Sequence, residues 1–292
     1  MAHVETNRFV WIALHVSLAV GLAGAGCGQA PVQTGDGGDA GNDGDTGSDV
    51  TPDVGPDGIP PDGCAPIASC PAEPPRAYVD STYAPPSGSP ITVSAGGDLQ
   101  AALDAALPGQ IVELEAGATF TGNFTLPNTP GTGWIYLRSS AYASLPPPGT
   151  RVGPADASQM PRIVSPNTAP AIASDFGAHH VRFVGIEITT TWAATTASNT
   201  NLVLFGYDAA GNQAASLGDL PHDIVFDRCY LHGTPTGNVR RGILLDVTSG
   251  AVVDSYFSDF HEDGSDAQAI LVTNAPGPFQ IVNNYLEAPA RT

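Results

Sequence analysis

The chain has 292 residues and a formal net charge of −19, and it contains no lysine, so its 10 cationic side chains other than histidine are all arginine. No basic stripe is present to meet a phosphate backbone, which argues against nucleic acid as a partner. With 34 glycines, 27 prolines and 7% aromatic residues, the composition suits a turn-rich β protein better than a helical one.

Residues 1–8 are polar and include Arg8, Phe9–Gly26 is apolar and uncharged, and the run ends in small residues before Cys27. A charged start, an apolar middle and a small-residue end predict an export signal over 1–26. The ending Leu22-Ala-Gly-Ala-Gly-Cys27 resembles a bacterial lipoprotein signal, although Gly24 stands where leucine is usual. That resemblance implies a lipidated Cys27 and a protein held at the outer membrane or cell surface, where several acyl chains give a stable anchor. Ordinary secretion and an uncleaved membrane anchor are the alternatives.

Residues 27–75 read as a disordered acidic tether. Thr34–Asp49 has no apolar side chain larger than alanine, so it cannot offset the entropy of ordering, and its like charges keep it extended. Cys64 and Cys70 close the tether. In an exported protein they are expected to form a local disulfide, structural in role because the spacing is not C-x-x-C.

Residues 76–292 form the expected folded domain. After Ile91–Ser94, the apolar positions Leu99, Ala102, Leu103 and Ala106 predict a short helix with Asp98 as its N-cap and Pro108-Gly109 as its stop. A strand follows over Gln110–Glu115, then Ala116–Gly122. This order resembles the amino-terminal cap of right-handed parallel β-helix proteins of the pectate-lyase-like superfamily. The resemblance implies an all-β solenoid, a right-handed parallel β-helix with a short N-terminal capping helix.

Further strands are expected at Trp134–Arg138, Arg162–Val164, Val181–Ile188 and Asn201–Phe205, with the proline-rich loop Leu145–Gly149 between the first two. Phe183 and Phe226 lie 43 residues apart, which places insertions at Thr191–Asn201 and Tyr207–Leu220. From His222 onward the same unit recurs. Phe226 to Val253 is 27 residues, Val253 to Ile281 is 28, and Leu244 to Leu271 is 27. Two interleaved strand series on one period predict coils that stack, with Phe226, Val253 and Ile281 in one inward column. Cys229 is expected as a core thiol, and Asn283 and Asn284 as the start of an amide ladder at a corner. The last coil, near Asn283–Ala288, reads as mid-solenoid, so truncation at the C-terminus is expected, with a partner covering the end as the alternative.

The densest polar cluster is Ser258–Gln268. Asp259, Glu262, Asp263 and Asp266 are candidate Ca2+ ligands, but Ile270 stands where an EF-hand loop would close with an acid. Stacking one coil on the next would bring His232, Arg240 and Arg241 near Asp259, His261 and Glu262. That gives a candidate catalytic set of Arg240, Arg241, His232 and Asp259, in which a cation neutralises a uronate carboxylate and a base takes the adjacent proton. Trp192, His261 and Gln268 are candidate substrate contacts. The alternative for the acidic cluster is a solvated turn between strands, and for the arginine–acid set an inter-coil salt bridge.

Pectate lyases of the resembled superfamily bind calcium through aspartates and use arginine or lysine as base. Ile224–Cys229 is similar to their V-W-I-D-H motif at Asp227 only, since Val225 and Arg228 replace the tryptophan and histidine, and no R-x-P-x-x-R element is present. Two functions are therefore carried forward. One is a surface protein that binds or processes extracellular polysaccharide, by β-elimination or, through carboxylates such as Asp254 and Asp259, by hydrolysis. The other is a non-catalytic adhesion or structural module.

Overall fold

The computed structural model describes residues 77–208 and 210–287. The export signal 1–26, the Cys27 site, the tether 27–75 and the Cys64–Cys70 pair lie outside the described residues. No helix among the described residues is long and apolar enough to cross a membrane.

The chain begins its regular structure with β1 (Ile91–Val93) and α1 (Leu99–Ala105). The first round holds β2 (Ile111–Leu114), β3 (Thr119–Thr121) and β4 (Phe124–Leu126), and the second β5 (Ile135–Ser139), β6 (Arg162–Ser165) and β7 (Ile172–Ser174). Next come β8 (His179–Val184), β9 (Glu187–Thr190) and β10 (Val203–Leu204), then β11 (His222–Asp227), β12 (Tyr230–His232) and β13 (Arg241–Leu244). The last rounds are β14 (Gly250–Val253), β15 (Tyr256–Ser258) and β16 (Gln268–Leu271), followed by β17 (Phe279–Val282) and β18 (Tyr285–Leu286).

These strands form three sheets. The first is ordered β1-β2-β5-β8-β11-β14-β17, the second β3-β6-β9-β12-β15-β18, and the third β4-β7-β10-β13-β16. Every pairing is parallel. Each round visits the three sheets in the same order, an arrangement consistent with a parallel β-helix.

The helix forms as the sequence predicts. The Asp98 carboxylate accepts the Ala101 N–H at 2.9 Å, satisfying a donor that the first turn leaves free. Its buried residues Leu99, Ala102 and Leu103 join Val93, Phe120 and Leu126 in the main core.

Alternation along each strand sends one set of side chains inward. Val112, Leu137, Phe183, Phe226 and Val252 stand opposite one another on successive strands of the first sheet and are all buried. The Phe183 and Phe226 rings stack at 4.4 Å, nearly parallel. Burying each ring contributes about 2–3 kcal/mol. The column continues to Ile281, but the expected position of Val253 is corrected. Val253 pairs with Asp227 and Val282 and packs with Val79, Val225 and Ala251 in a separate cluster; Val252 is the inward residue. The true intervals are 26 and 29 residues, because the loops between sheets absorb the difference and a one-residue slip exchanges the two faces of a strand. Leu244 does pair with Leu271, as the 27-residue interval predicts. Cys229 is fully buried in the main core, where burial pushes its thiol up to about 12.

From the third round onward the chain turns between the first and second sheets in two residues. Gly185, Arg228, Asp254 and Asn283 all open that corner with positive φ. Polar side chains hold it from coil to coil. Ser255 Oγ accepts the Cys229 N–H at 3.0 Å, and Asn284 Oδ1 accepts the Ser255 N–H at 2.9 Å, so a short polar ladder exists, with serine as one rung. The second round departs from this pattern. Residues 140–161 leave the corner as an excursion and return alongside it, and Gly149 donates to Asp254 Oδ2 at 2.6 Å. Leu145 of this excursion lies over Gly185, where a Cβ would sit 2.2 Å from its Cδ1.

Residues 77–90 close the outer face of the first sheet. Val79 packs with Val225, Ala251 and Val253, and Tyr83 with Ile111, Tyr136 and Val184. Under this strap Arg182 donates to the Ser81 and Thr82 carbonyls at 2.8 and 2.7 Å and to Asp227 at 2.8 Å. Arg228 Nε meets Asp227 from the other side at 2.7 Å. Asp227, the residue that matches the lyase motif, is thus 1% exposed and fully engaged in a structural ion network.

Candidate functional site

With the first sheet strapped, the second sheet presents its outer face. Register places Thr119, Arg162, Glu187, Tyr230, Tyr256 and Tyr285 in one outward column. Thr121, Val164 and Thr189 form the parallel one, and His232 pairs with Ser258 beside it. A cleft of about 480 Å³ opens here, lined by Arg162, Thr189, Tyr230, His232 and Asp259 among others.

At its centre is a three-residue charge cluster. Glu187 Oε1 lies 2.9 Å from both Arg162 Nε and His232 Nε2. Glu187 is 3% exposed. Burial works to raise its carboxyl, but hydrogen bonds and charge from His232 and Arg162 outweigh it and hold the group below the ordinary carboxylate value. His232 Nδ1 lies 2.9 Å from the Gly233 carbonyl and 3.2 Å from Thr189 Oγ1. Both ring nitrogens therefore have protein partners.

Next to this cluster runs an aromatic column. Tyr256 stacks on Tyr285 at 4.4 Å and 15°, and meets Tyr230 edge-on at 5.7 Å. Tyr230 stacks on His232 at 4.5 Å. The Arg151 guanidinium, from the 140–161 excursion, lies 5.8 Å over Tyr285. Burial is the main reason the Tyr230 phenol is raised, with the charges of Asp259, Glu187 and Glu287 adding to it, so it stays a hydrogen-bond donor at neutral pH.

The stacking expected between the 232–241 and 259–268 turns is present, but the contacts sort into two places. Arg240 is ion-paired with Glu262 at 3.3 Å and with Asp266. Ser198 donates to Glu262, and Gln268 to Asp266. The Asp266 carboxyl is held low chiefly by the bond from Arg240. Arg241 Nε donates to Gln268 Oε1 at 3.1 Å. Arg240 thus makes an inter-coil salt bridge, and Arg241 an inter-coil hydrogen bond to a neutral amide. His232 and Asp259 separate from them and line the cleft. The Asp263 backbone N–H donates to Asn238 Oδ1 at 3.2 Å. Asp259, Glu262, Asp263 and Asp266 do not bring three ligand atoms together; among the described residues the group that does lies elsewhere, on the first sheet.

Two of the proposed substrate contacts sit differently from expectation. His261 is 7% exposed, because its backbone pairs with Val239 in both directions, and its ring is drawn inward. Trp192 is half-buried, with its indole N–H given to the Ala197 carbonyl at 3.0 Å; its own carbonyl accepts from Thr234, which lines the cleft. A second cleft, of about 460 Å³, lies near Gly206 and Leu217. Its carboxylate, Asp246, is occupied by Thr273 and the Asn274 N–H.

Arg162, Glu187 and the tyrosine column were missed as site residues. The signal was present: Tyr230, Tyr256 and Tyr285 follow the same 26- and 29-residue intervals as the inward column. Comparisons with protein families, with curated proteins and with solved structures find no match to this chain.

Proposed function

We propose that this chain is an exported, surface-held right-handed parallel β-helix of the pectate-lyase-like kind that binds an extracellular polysaccharide along the outer face of its second sheet. The observation that carries this reading is the tyrosine column beside the Arg162–Glu187–His232 cluster. Aromatic faces offer apolar area with a polar edge, and sugar rings present C–H faces and hydroxyls that match it. The threonines at 119, 121 and 189 add hydroxyl partners, and Arg162 supplies a cation for an acidic sugar. Binding is favoured over chemistry because Arg240 and Arg241 are engaged and both nitrogens of His232 have partners. No calcium step enters the proposal.

The test is calorimetric titration of the purified chain with neutral and acidic polysaccharides, with calcium and with chelator. Binding to at least one class is expected, and Tyr256→Ala or Tyr285→Ala should each weaken it roughly tenfold. Absence of binding to every class, or no effect of either substitution, would overturn the reading. Catalysis remains a second reading because His232 and Asp259 share the cleft. It requires ultraviolet-absorbing unsaturated products that His232→Ala abolishes. The surface anchor is tested separately: Cys27→Ser should release the protein from membranes and stop incorporation of labelled fatty acid.

A further inference from the structure

At the start of β8 and β11, on the first sheet, three histidines and an aspartate meet across two coils. His179 and His222 are register partners, and their rings stack at 4.8 Å and 12°. The next residue of each strand, His180 and Asp223, takes a left-handed backbone at φ 55°. Non-glycine residues seldom adopt this conformation, and here two occur at matching places in adjacent coils. One ligand atom from each of His180, His222 and Asp223 lies within 4.8 Å of the other two. Asp223 Oδ2 is 2.8 Å from His222 Nδ1 and 3.7 Å from His180 Nε2.

We propose that His180, His222 and Asp223 form a zinc site that clamps the β8 coil to the β11 coil. Tetrahedral zinc has metal–ligand bonds of about 2.0–2.2 Å, which puts its ligand atoms roughly 3.4 Å apart. The two distances to Asp223 bracket that separation, and the two histidine nitrogens lie within 4.8 Å of each other. The fourth position falls to solvent.

A supporting contact is already in place. His180 Nδ1 lies 2.9 Å from His179 Nδ1. When His180 Nδ1 carries the proton and donates it to His179, its Nε2 lone pair is left for the metal. Metal-bound histidines are generally fixed in this way through their other nitrogen. Trp134 closes one side of the His180 ring, edge-on at 5.5 Å. Two imidazoles and one carboxylate suit a borderline divalent ion, not calcium, which takes six to eight oxygens. The cluster lies on a different sheet from the cleft and does not depend on the polysaccharide reading. All four residues are half-buried, so an ion can reach the site from solvent and still be partly shielded.

The experiment is calorimetric titration of the metal-free full chain with zinc, alongside cobalt as a spectroscopic probe. One zinc per chain is expected, with the visible absorption of four-coordinate cobalt and a rise in Tm, because the ion binds the folded state. His180→Ala and Asp223→Asn should each weaken zinc by roughly tenfold or more and remove the Tm rise. His261→Gln, away from the cluster, should change neither. Circular dichroism establishes that each variant is folded, and Asp223→Asn keeps the side-chain shape should His180→Ala fail that check. No stoichiometric zinc binding, or unchanged binding in folded Asp223→Asn, overturns the proposal.

Discussion

A buried carboxylate can be structural or functional depending on what faces it, and two in this chain show the difference. Asp227 lies between Arg182 and Arg228 under the 77–90 strap and reaches no solvent. Removing its charge leaves two buried cations unpaired, so Asp227→Asn should destabilise the fold by about 3 kcal/mol, read from chemical denaturation. Glu187 is equally buried but its partners, Arg162 and His232, border an open cleft. Its folded-state pKa is lowered, so the stability it contributes is present above the ordinary glutamate value of about 4.3 and is lost as pH falls through the folded one. Wild-type stability should therefore fall below about pH 4, and Glu187→Gln should show a shallower fall over that range in acid titrations of Tm. Cys229 is set chiefly by burial. Its thiol, pushed up to about 12, should resist alkylation at pH 8 in the native protein and react on denaturation, as peptide mapping would report.

At the level of the element, strand type follows from short apolar runs, but what bounds each run decides where it points. The stretch Val181–Ile188 reads as one strand, yet Gly185 at φ 63° divides it into β8 and β9 on two sheets. The same happens to His222–Leu231, divided at Arg228. Left-handed conformation at arginine or aspartate leaves little local sequence trace, and the coil-to-coil bonds through Ser255 and Asn284 show what holds it. The capping helix is the opposite case, since its start depends on a single side chain next to it. Asp98→Ala should cost about 1 kcal/mol, measurable as a shift in the denaturation midpoint. The 140–161 excursion has no periodic pattern, so its path along the corner, with Gly149 on Asp254 and Leu145 over Gly185, emerged only in three dimensions.

Across the whole molecule, stacked coils protect each other unevenly. The central coils are covered on both sides and on the first sheet's outer face, whereas Ile281, Val282 and Leu286 in the last described coil are about half exposed. Amide hydrogen exchange should follow that gradient, slowest at β8 and β11 and fastest at β17 and β18, because edge strands open without breaking the rest. The sequence alone carried the all-β character, the helix and its cap, the 27-residue pairing of Leu244 with Leu271, and the core placement of Cys229. These rest on composition, alternation and neighbours near in the chain. Which face of a strand looks outward, and what covers it, was decided by tertiary packing. Val252 rather than Val253 points inward, the strap hides Asp227, and Glu187 meets an arginine and a histidine 25 and 45 residues away. A parallel coil brings together residues one full round apart, and loops of unequal length make that round a distance that no fixed period can supply.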